Sequence, residues 1–164
     1  GGAAAAPAAG TVEALRWPAG ARIRMLYDGG CPLCEREVNF LRSRDEGKGA
    51  IDFVDIDGPD FGPEWNMGIT FPRAMASIHA IRADGSILSG VAVFRELYEA
   101  VGLGWVYAVT KNETVGALAE KVYDFWAERR TNVTGRGDLA GVLAARAAAE
   151  RENADGASCR AEAE

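Results

Sequence analysis

A chain of 164 residues, 48% hydrophobic and 26% charged, is long enough to bury one core and has the make-up of an ordinary globular domain. Its formal net charge of −6 argues against a broadly basic surface for nucleic acid or anionic lipid. No apolar run approaches the roughly 20 residues a membrane helix needs, and three cysteines do not make a secreted disulfide framework.

Residues 1–10 are alanine, glycine and one proline, with no pattern that buries a face, and 1–20 is expected to be disordered. The chain starts without Met, so removal of a precursor segment is expected. The stretch lacks the arginines and serines of an intact transit peptide. The expected address is an organelle, plastid ahead of mitochondrion, with the cytoplasm as the alternative.

From Arg22 to Tyr27 the side chains alternate, with Ile23, Met25 and Tyr27 on one face and Arg24 and Leu26 on the other. This predicts a first strand. The stretch Tyr27-Asp28-Gly29-Gly30-Cys31-Pro32-Leu33-Cys34 follows, and Cys34, Val38 and Leu41 then recur at helical spacing to Arg44. Pro32 suits a first helical turn, where a missing N–H costs nothing. The stretch therefore reads as strand, glycine turn and helix start, with Cys31 at the mouth.

A cysteine there meets unpaired backbone N–H groups and the positive end of the helix dipole, which favour thiolate over thiol. Cys34 lies one turn on, within disulfide reach. Such a pair beside a βαβ pattern reads as a redox motif. A zinc knuckle would need a second ligand pair, and the remaining His79 and Cys159 are isolated. Two unreactive core cysteines are the other bland reading; the glycine turn and the helix-start position argue against it.

Residues 51–56 predict a second strand, and strand–helix–strand favours parallel pairing with a right-handed crossover. Residues 57–73 read as a long irregular loop, with one helical turn at 64–67, covering the cysteine end of the sheet. Residues 74–81 predict a third strand, Asp84-Gly85 a hairpin turn, and 86–88 a fourth strand.

After Gly90, the pattern Val93, Phe94, Leu97, Tyr98 and Val101 marks a helix ending at Gly102. A connector at 103–110 leads to a helix capped by Asn112 or Thr114. Its face of Val115, Leu118, Ala119, Val122, Tyr123 and Trp126 is expected to pack on the core. Residues 139–151 are alanine-rich and predict a loosely held helix, with a polar tail at 153–164. Asn132-Val133-Thr134 and Arg136-Gly137-Asp138 match a glycosylation acceptor and an adhesion tripeptide, both short enough to arise by chance.

The segment Tyr27-Asp28-Gly29-x-Cys31-x-x-Cys34 resembles the signature of the DCC family of predicted thiol–disulfide oxidoreductases. So do His79-Ala80-Ile81 with Asp84-Gly85, Gly90 with Ala92-Val93-Phe94, and a later helix carrying Tyr123 and Arg129-Arg130. The resemblance covers about residues 23–135. It implies an α/β, thioredoxin-like fold, with a central mixed four-stranded sheet and helices on both faces. It also implies dithiol–disulfide chemistry. Ordinary thioredoxins carry a cis-proline just before the third strand; here that place falls near Ala76 or Ser77.

The domain division expected is 1–20, 21–135 for the oxidoreductase unit, and 136–164. Cys31 is expected to be the exposed, attacking sulfur and Cys34 the buried, resolving one. Asp28 either takes the proton from Cys34 or hydrogen-bonds the glycine turn. Gly29 and Gly30 are expected to supply backbone angles other residues resist. His79 is expected to be a packed core side chain, and Cys159 an ordinary tail thiol outside the reaction. No cofactor and no metal are required. The expected partner is a disulfide-containing protein or a small thiol, met by a monomer. The alternative is a non-catalytic thioredoxin-like interaction module.

Overall fold

The computed structural model describes residues 16–161 except 60, 134 and 136, with the side chains of 130–133 and 152–161 outside that description. The expectation for residues 1–10, the adhesion tripeptide at Arg136 and the exposure of Cys159 therefore fall outside the described residues.

The elements run β1 (Ile23–Tyr27), α1 (Pro32–Asp45), β2 (Ile51–Asp55), a 3-10 turn (Pro63–Trp65), α2 (Phe71–Ala76), β3 (His79–Arg82) and β4 (Ile87–Ser89). Then follow α3 (Val91–Ala100), a 3-10 segment (Gly104–Lys111), α4 (Glu113–Val133) and α5 (Leu139–Ala161). The sheet order is β2-β1-β3-β4. β1 pairs parallel with β2, Met25 opposite Phe53, and antiparallel with β3, Met25 opposite Ala80. β4 adds antiparallel to β3.

The alternation in β1 divides the core. Ile23, Met25 and Ala80 join Val38 and Leu41 of α1, Leu97 of α3 and Tyr123 of α4. Leu26 and Ile81 join Ile56, Phe61, Ile69, Phe71 and Met75, with Leu139, Val142 and Leu143 of α5 against them. The sheet is therefore mixed and four-stranded with helices on both faces, an α/β arrangement of thioredoxin-like type. Asp45 makes the turn from α1 into β2: its carboxylate accepts from the N–H groups of Ala50 (2.9 Å) and Ile51 (3.1 Å).

Several boundaries differ from the sequence reading. Residues 74–76 are helical and β3 begins at His79. Phe71, Ala74 and Met75 are all buried at i, i+3, i+4 spacing, and Pro72 suits the first turn. The helical period outweighs the apolar content that suggested a strand. Asn112 caps α4, accepting from Thr114 and Val115 N–H.

The face of α4 is less buried than expected. Ala119, Tyr123 and Trp126 pack on the core, but Val115, Leu118 and Val122 are exposed, as are Phe125 and, from the 3-10 segment, Trp105 and Val109. α4 meets α3 and the 3-10 segment along a narrow stripe, so Val115, Leu118, Val122 and Phe125 face outward. α5 continues to Ala161, through most of the expected tail.

One buried arginine ties Trp65 and Asn66 to the sheet. Arg24, 4% exposed, lies opposite Asp52 in the β1–β2 register and pairs with it at 2.6 Å. Its Nη1 donates to the Trp65 carbonyl (2.7 Å) and to Asn66 Oδ1 (3.4 Å), and Nη2 donates to the Arg16 carbonyl. Asn66 in turn donates to the Gly62 carbonyl.

His79 is a packed core histidine, as expected. Its Nδ1 lies 2.8 Å from the Ser77 carbonyl oxygen, which can only accept, so Nδ1 carries the proton. Burial holds its pKa below the ordinary 6.5; the Ser77 bond opposes that shift and the Arg73 charge adds to it. A depressed folded pKa means that the unfolded chain binds the proton more readily. Stability is then full above about pH 6.5 and falls as the pH drops below it. Urea midpoints at pH 7.5 and 5.5 should show this loss. His79→Gln should lessen the part of the loss that lies between those pH values.

Candidate active site

The chain leaves β1 at Tyr27 and turns at once. Asp28 is buried, and its Oδ1 accepts from Gly30 N–H at 3.0 Å. Its carbonyl accepts from Cys31 N–H at 3.1 Å. Across the sheet, Asp55 at the end of β2 accepts from Gly29 N–H (3.0 Å) and Asp57 N–H (2.9 Å). Gly29 has no left-handed φ; a Cβ there would run into the Asp55 carboxylate. The glycine thus serves close approach to Asp55, not the unusual backbone angle expected of it.

Cys31 is the N-cap of α1, with extended backbone at φ −104 and ψ 109, and Pro32 opens the helix. Its Sγ accepts from Cys34 N–H at 3.3 Å, and its carbonyl accepts from Glu35 N–H. The sulfur is folded back over the first turn, and Cys31 is 0% exposed. Cys34 is partly exposed.

This reverses the expected order of exposure. A cap side chain turns back toward the helix it caps, which hides Cys31. Cys34 does share a face with the buried Val38 and Leu41, but at its level the face borders an open cavity.

That cavity, about 190 Å³, lies between α1, α2, α3 and α4. Cys34, Leu33, Phe94, Tyr123 and Trp126 line it, with Ala74 and Ile78 from the approach to β3. Two acidic side chains, Asp28 and Glu37, also line it, and among the described residues no Lys or Arg does. Glu37 Oε1 is out of contact with solvent and has no hydrogen-bond partner among the described residues. Burial first, and then the Glu37 charge, push the Tyr98 phenol well above its ordinary value, a hydrogen bond to Glu37 adding to the shift, and raise the Tyr107 phenol as well. Both therefore keep their protons at any ordinary pH.

The aromatic wall is fixed by its own contacts. Phe94 and Tyr123 meet edge to face at 6.0 Å, and Tyr123 lies 6.0 Å from Trp126. The Tyr123 hydroxyl accepts from Ile78 N–H at 2.8 Å, tying α4 to the segment just before β3. No cis peptide bond occurs among the described residues, and Ala76–Ser77 is the end of α2.

The structure thus brings Cys31, Cys34 and Asp28 together and leaves His79 out of the cavity wall. The sequence reading missed Asp55, Glu37 and the aromatic wall. Glu37 had a signal, since it stands one turn after Cys34 and therefore on the same side of α1. Asp55 had none, because its contact with Gly29 exists only once β1 and β2 pair.

A Cys-x-x-Cys pair at the start of the first helix, beside a mixed four-stranded sheet, defines a thioredoxin-like protein with the parts for dithiol chemistry. The chain belongs to the DCC1-like thiol-disulfide oxidoreductase family, whose model matches residues 25–136. It is also 54% identical, over 125 residues, to an uncharacterized chloroplastic protein of Arabidopsis thaliana; that stretch is 76% of this chain and 58% of the relative. The chain therefore spans less than two thirds of the length of that relative. No solved structure matches the chain.

Proposed function

We propose that this chain is a thiol–disulfide oxidoreductase in which Cys31 and Cys34 cycle between dithiol and disulfide. The observation that carries the proposal is the Cys31 cap: its sulfur accepts a backbone N–H from Cys34, the residue it would bond on oxidation. Cys31 and Cys34 thus stand together in the first turn of α1, where a disulfide between them would close. Exchange then runs through a mixed disulfide, which the second cysteine resolves.

The natural unit for this chemistry is residues 21–135, acting as a monomer on a protein or small-molecule disulfide. A plastid address is supported by the word "chloroplastic" in the description of the Arabidopsis relative.

The test is a redox titration. The protein is equilibrated with graded ratios of reduced and oxidised dithiothreitol, quenched in acid and alkylated. A reversible loss of two hydrogens, mapped to Cys31 and Cys34, is the expected result. A pair that stays reduced across the whole range would overturn the proposal. It would favour instead the interaction-module reading, which the exposed Trp105, Val109, Leu118, Val122 and Phe125 support.

Asp28 is proposed to take and return the proton during exchange, while its Oδ1 holds the turn. Asn keeps the acceptor and removes the charge. Asp28→Asn is therefore expected to fold, to lower the exchange rate at neutral pH and to flatten its pH profile. Full activity with an unchanged profile would leave Asp28 as a turn residue only.

A further inference from the structure

Two carboxylates hold the turn that leads into Cys31: Asp28 belongs to the turn itself, and Asp55 reaches it from β2. We propose that Asp55 is a positioning residue of the exchange reaction. It fixes the turn on β2, and the rate of exchange depends on that hold. The proposal rests on the oxidoreductase reading and adds a residue to the same site.

Three observations carry it. The first is where the N–H groups of the turn go. Gly30 donates to Asp28 Oδ1 and Cys31 to the Asp28 carbonyl, so both bonds stay inside the turn. Gly29 instead donates at 3.0 Å to Asp55 Oδ1, 26 residues further along the chain. That bond joins the turn to the neighbouring strand.

The second is that Asp55 is itself fixed. It stands opposite Tyr27 in the β1–β2 register. Its Oδ1 also accepts from Asp57 N–H at 2.9 Å, and its carbonyl accepts from Gly58 N–H at 3.1 Å. The next residue, Ile56, donates to the Tyr27 carbonyl at 2.9 Å. A group held this way keeps one geometry, which is what positioning a reactive side chain demands.

The third is closeness. A Cβ on Gly29 would run into the Asp55 carboxylate, so the turn lies against that carboxylate without slack. Cys31 follows two residues later as the N-cap, its sulfur placed by the same stretch of backbone. A shift of the turn therefore moves the sulfur relative to Cys34 N–H and to an incoming disulfide.

Asp55 acts through the turn and not on the substrate. It lies outside the wall of the cavity beside Cys34 and lines a separate groove with Val54, Phe61 and Trp65. A misplacement of about 1 Å can cost a reaction about 10²-fold, so a partial release of the turn is expected to cost about tenfold.

The test uses the full chain in a Cys159→Ser background, so that only the pair reacts. Reduced protein is mixed with excess glutathione disulfide, which is anionic, or with cystamine, which is cationic. Closure of the Cys31–Cys34 disulfide is timed by acid quench and alkylation. Asp55→Ala should slow closure about tenfold, by the same factor with both reagents. A lost negative charge acting through space would instead favour glutathione disulfide and disfavour cystamine. Asp55→Asn keeps an oxygen that accepts from Gly29 and Asp57 N–H, and should restore most of the rate.

Gly29→Ala supplies the second arm. Gly29 has no left-handed φ, so the backbone admits alanine and the new methyl meets the Asp55 carboxylate. Alone, this change should also slow closure about tenfold. Combined with Asp55→Ala, which clears that space, it should add nothing further, so the two losses do not multiply. Circular dichroism checks the fold of every variant. If Asp55→Ala does not fold, Gly29→Ala carries the test, and an undiminished rate there overturns the inference.

An Asp55→Ala rate equal to wild type, a factor that depends on the charge of the reagent, an Asn variant as slow as Ala, or losses that multiply would each overturn it as well. In every one of these cases a wild-type pair that closes leaves the oxidoreductase reading standing. A wild-type pair that stays reduced with both reagents would remove the reading and the inference together.

Discussion

Replacement of Arg24 by leucine is expected to cost about 3 kcal/mol of stability. Removing one partner of a buried ion pair typically costs 3–5 kcal/mol, because the other charge is left without compensation. The lower end applies here, since the Asp52 side chain keeps 18% exposure and so some contact with water. The Trp65 carbonyl and Asn66 Oδ1 also lose a donor. For a chain of this length about 3 kcal/mol corresponds to a fall in Tm of roughly 6–12 °C. Urea unfolding followed by circular dichroism should show the loss. Adding Asp52→Leu should cost less than a second 3 kcal/mol, because no buried charge remains unpaired. A loss under about 0.5 kcal/mol would mean that Trp65 and Asn66 hold their place without this arginine.

Serine at Cys31 or at Cys34 is expected to reduce catalysed disulfide turnover to the rate of uncatalysed exchange. Each variant lacks a sulfur that the closed cycle needs, so neither can both form and resolve the mixed disulfide. The fold should survive both changes. Serine is among the preferred N-cap residues, so Cys31→Ser keeps an acceptor for Cys34 N–H. Cys31→Ala should lose turnover too and about 1 kcal/mol in addition, the usual cost of an absent cap. A stability assay beside a turnover assay therefore separates the sulfur's chemistry from its structural role. Cys31→Ser retaining substantial turnover would show a single-cysteine mechanism on Cys34.

What the sequence disclosed was local. Ile23 to Tyr27 alternates, Pro32 and the Cys34, Val38, Leu41 spacing mark a helix, and Asp84-Gly85 marks a hairpin; each signal sits within a few residues. The pair and its place at the helix start followed from these. Where each sulfur faces did not. The exposure of Cys34 depends on a cavity whose far wall comes from Phe94, Tyr123 and Trp126, far along the chain. The outward-facing row on α4 was hidden in a similar way. Periodicity shows that Val115, Leu118 and Val122 share a helix with Tyr123, but not how narrow a stripe α3 and the 3-10 segment cover. At 71–76, by contrast, the helical spacing of Phe71, Ala74 and Met75 was present and was outweighed by apolar content.

The bond from Cys34 N–H to the Cys31 sulfur ties redox poise to folding through a closed thermodynamic cycle. Any difference in unfolding free energy between dithiol and disulfide forms must equal the shift of the pair's reduction potential from that of the same pair in the unfolded chain. For a two-electron couple the conversion is about 30 mV for 1.4 kcal/mol. If closing the disulfide removes the cap, worth about 1 kcal/mol, the dithiol form gains that much relative stability. The pair is then more oxidising by about 20 mV from this contact alone. Two melting curves, one per redox state, would thus report the electron affinity of the site without an electrode or a redox partner.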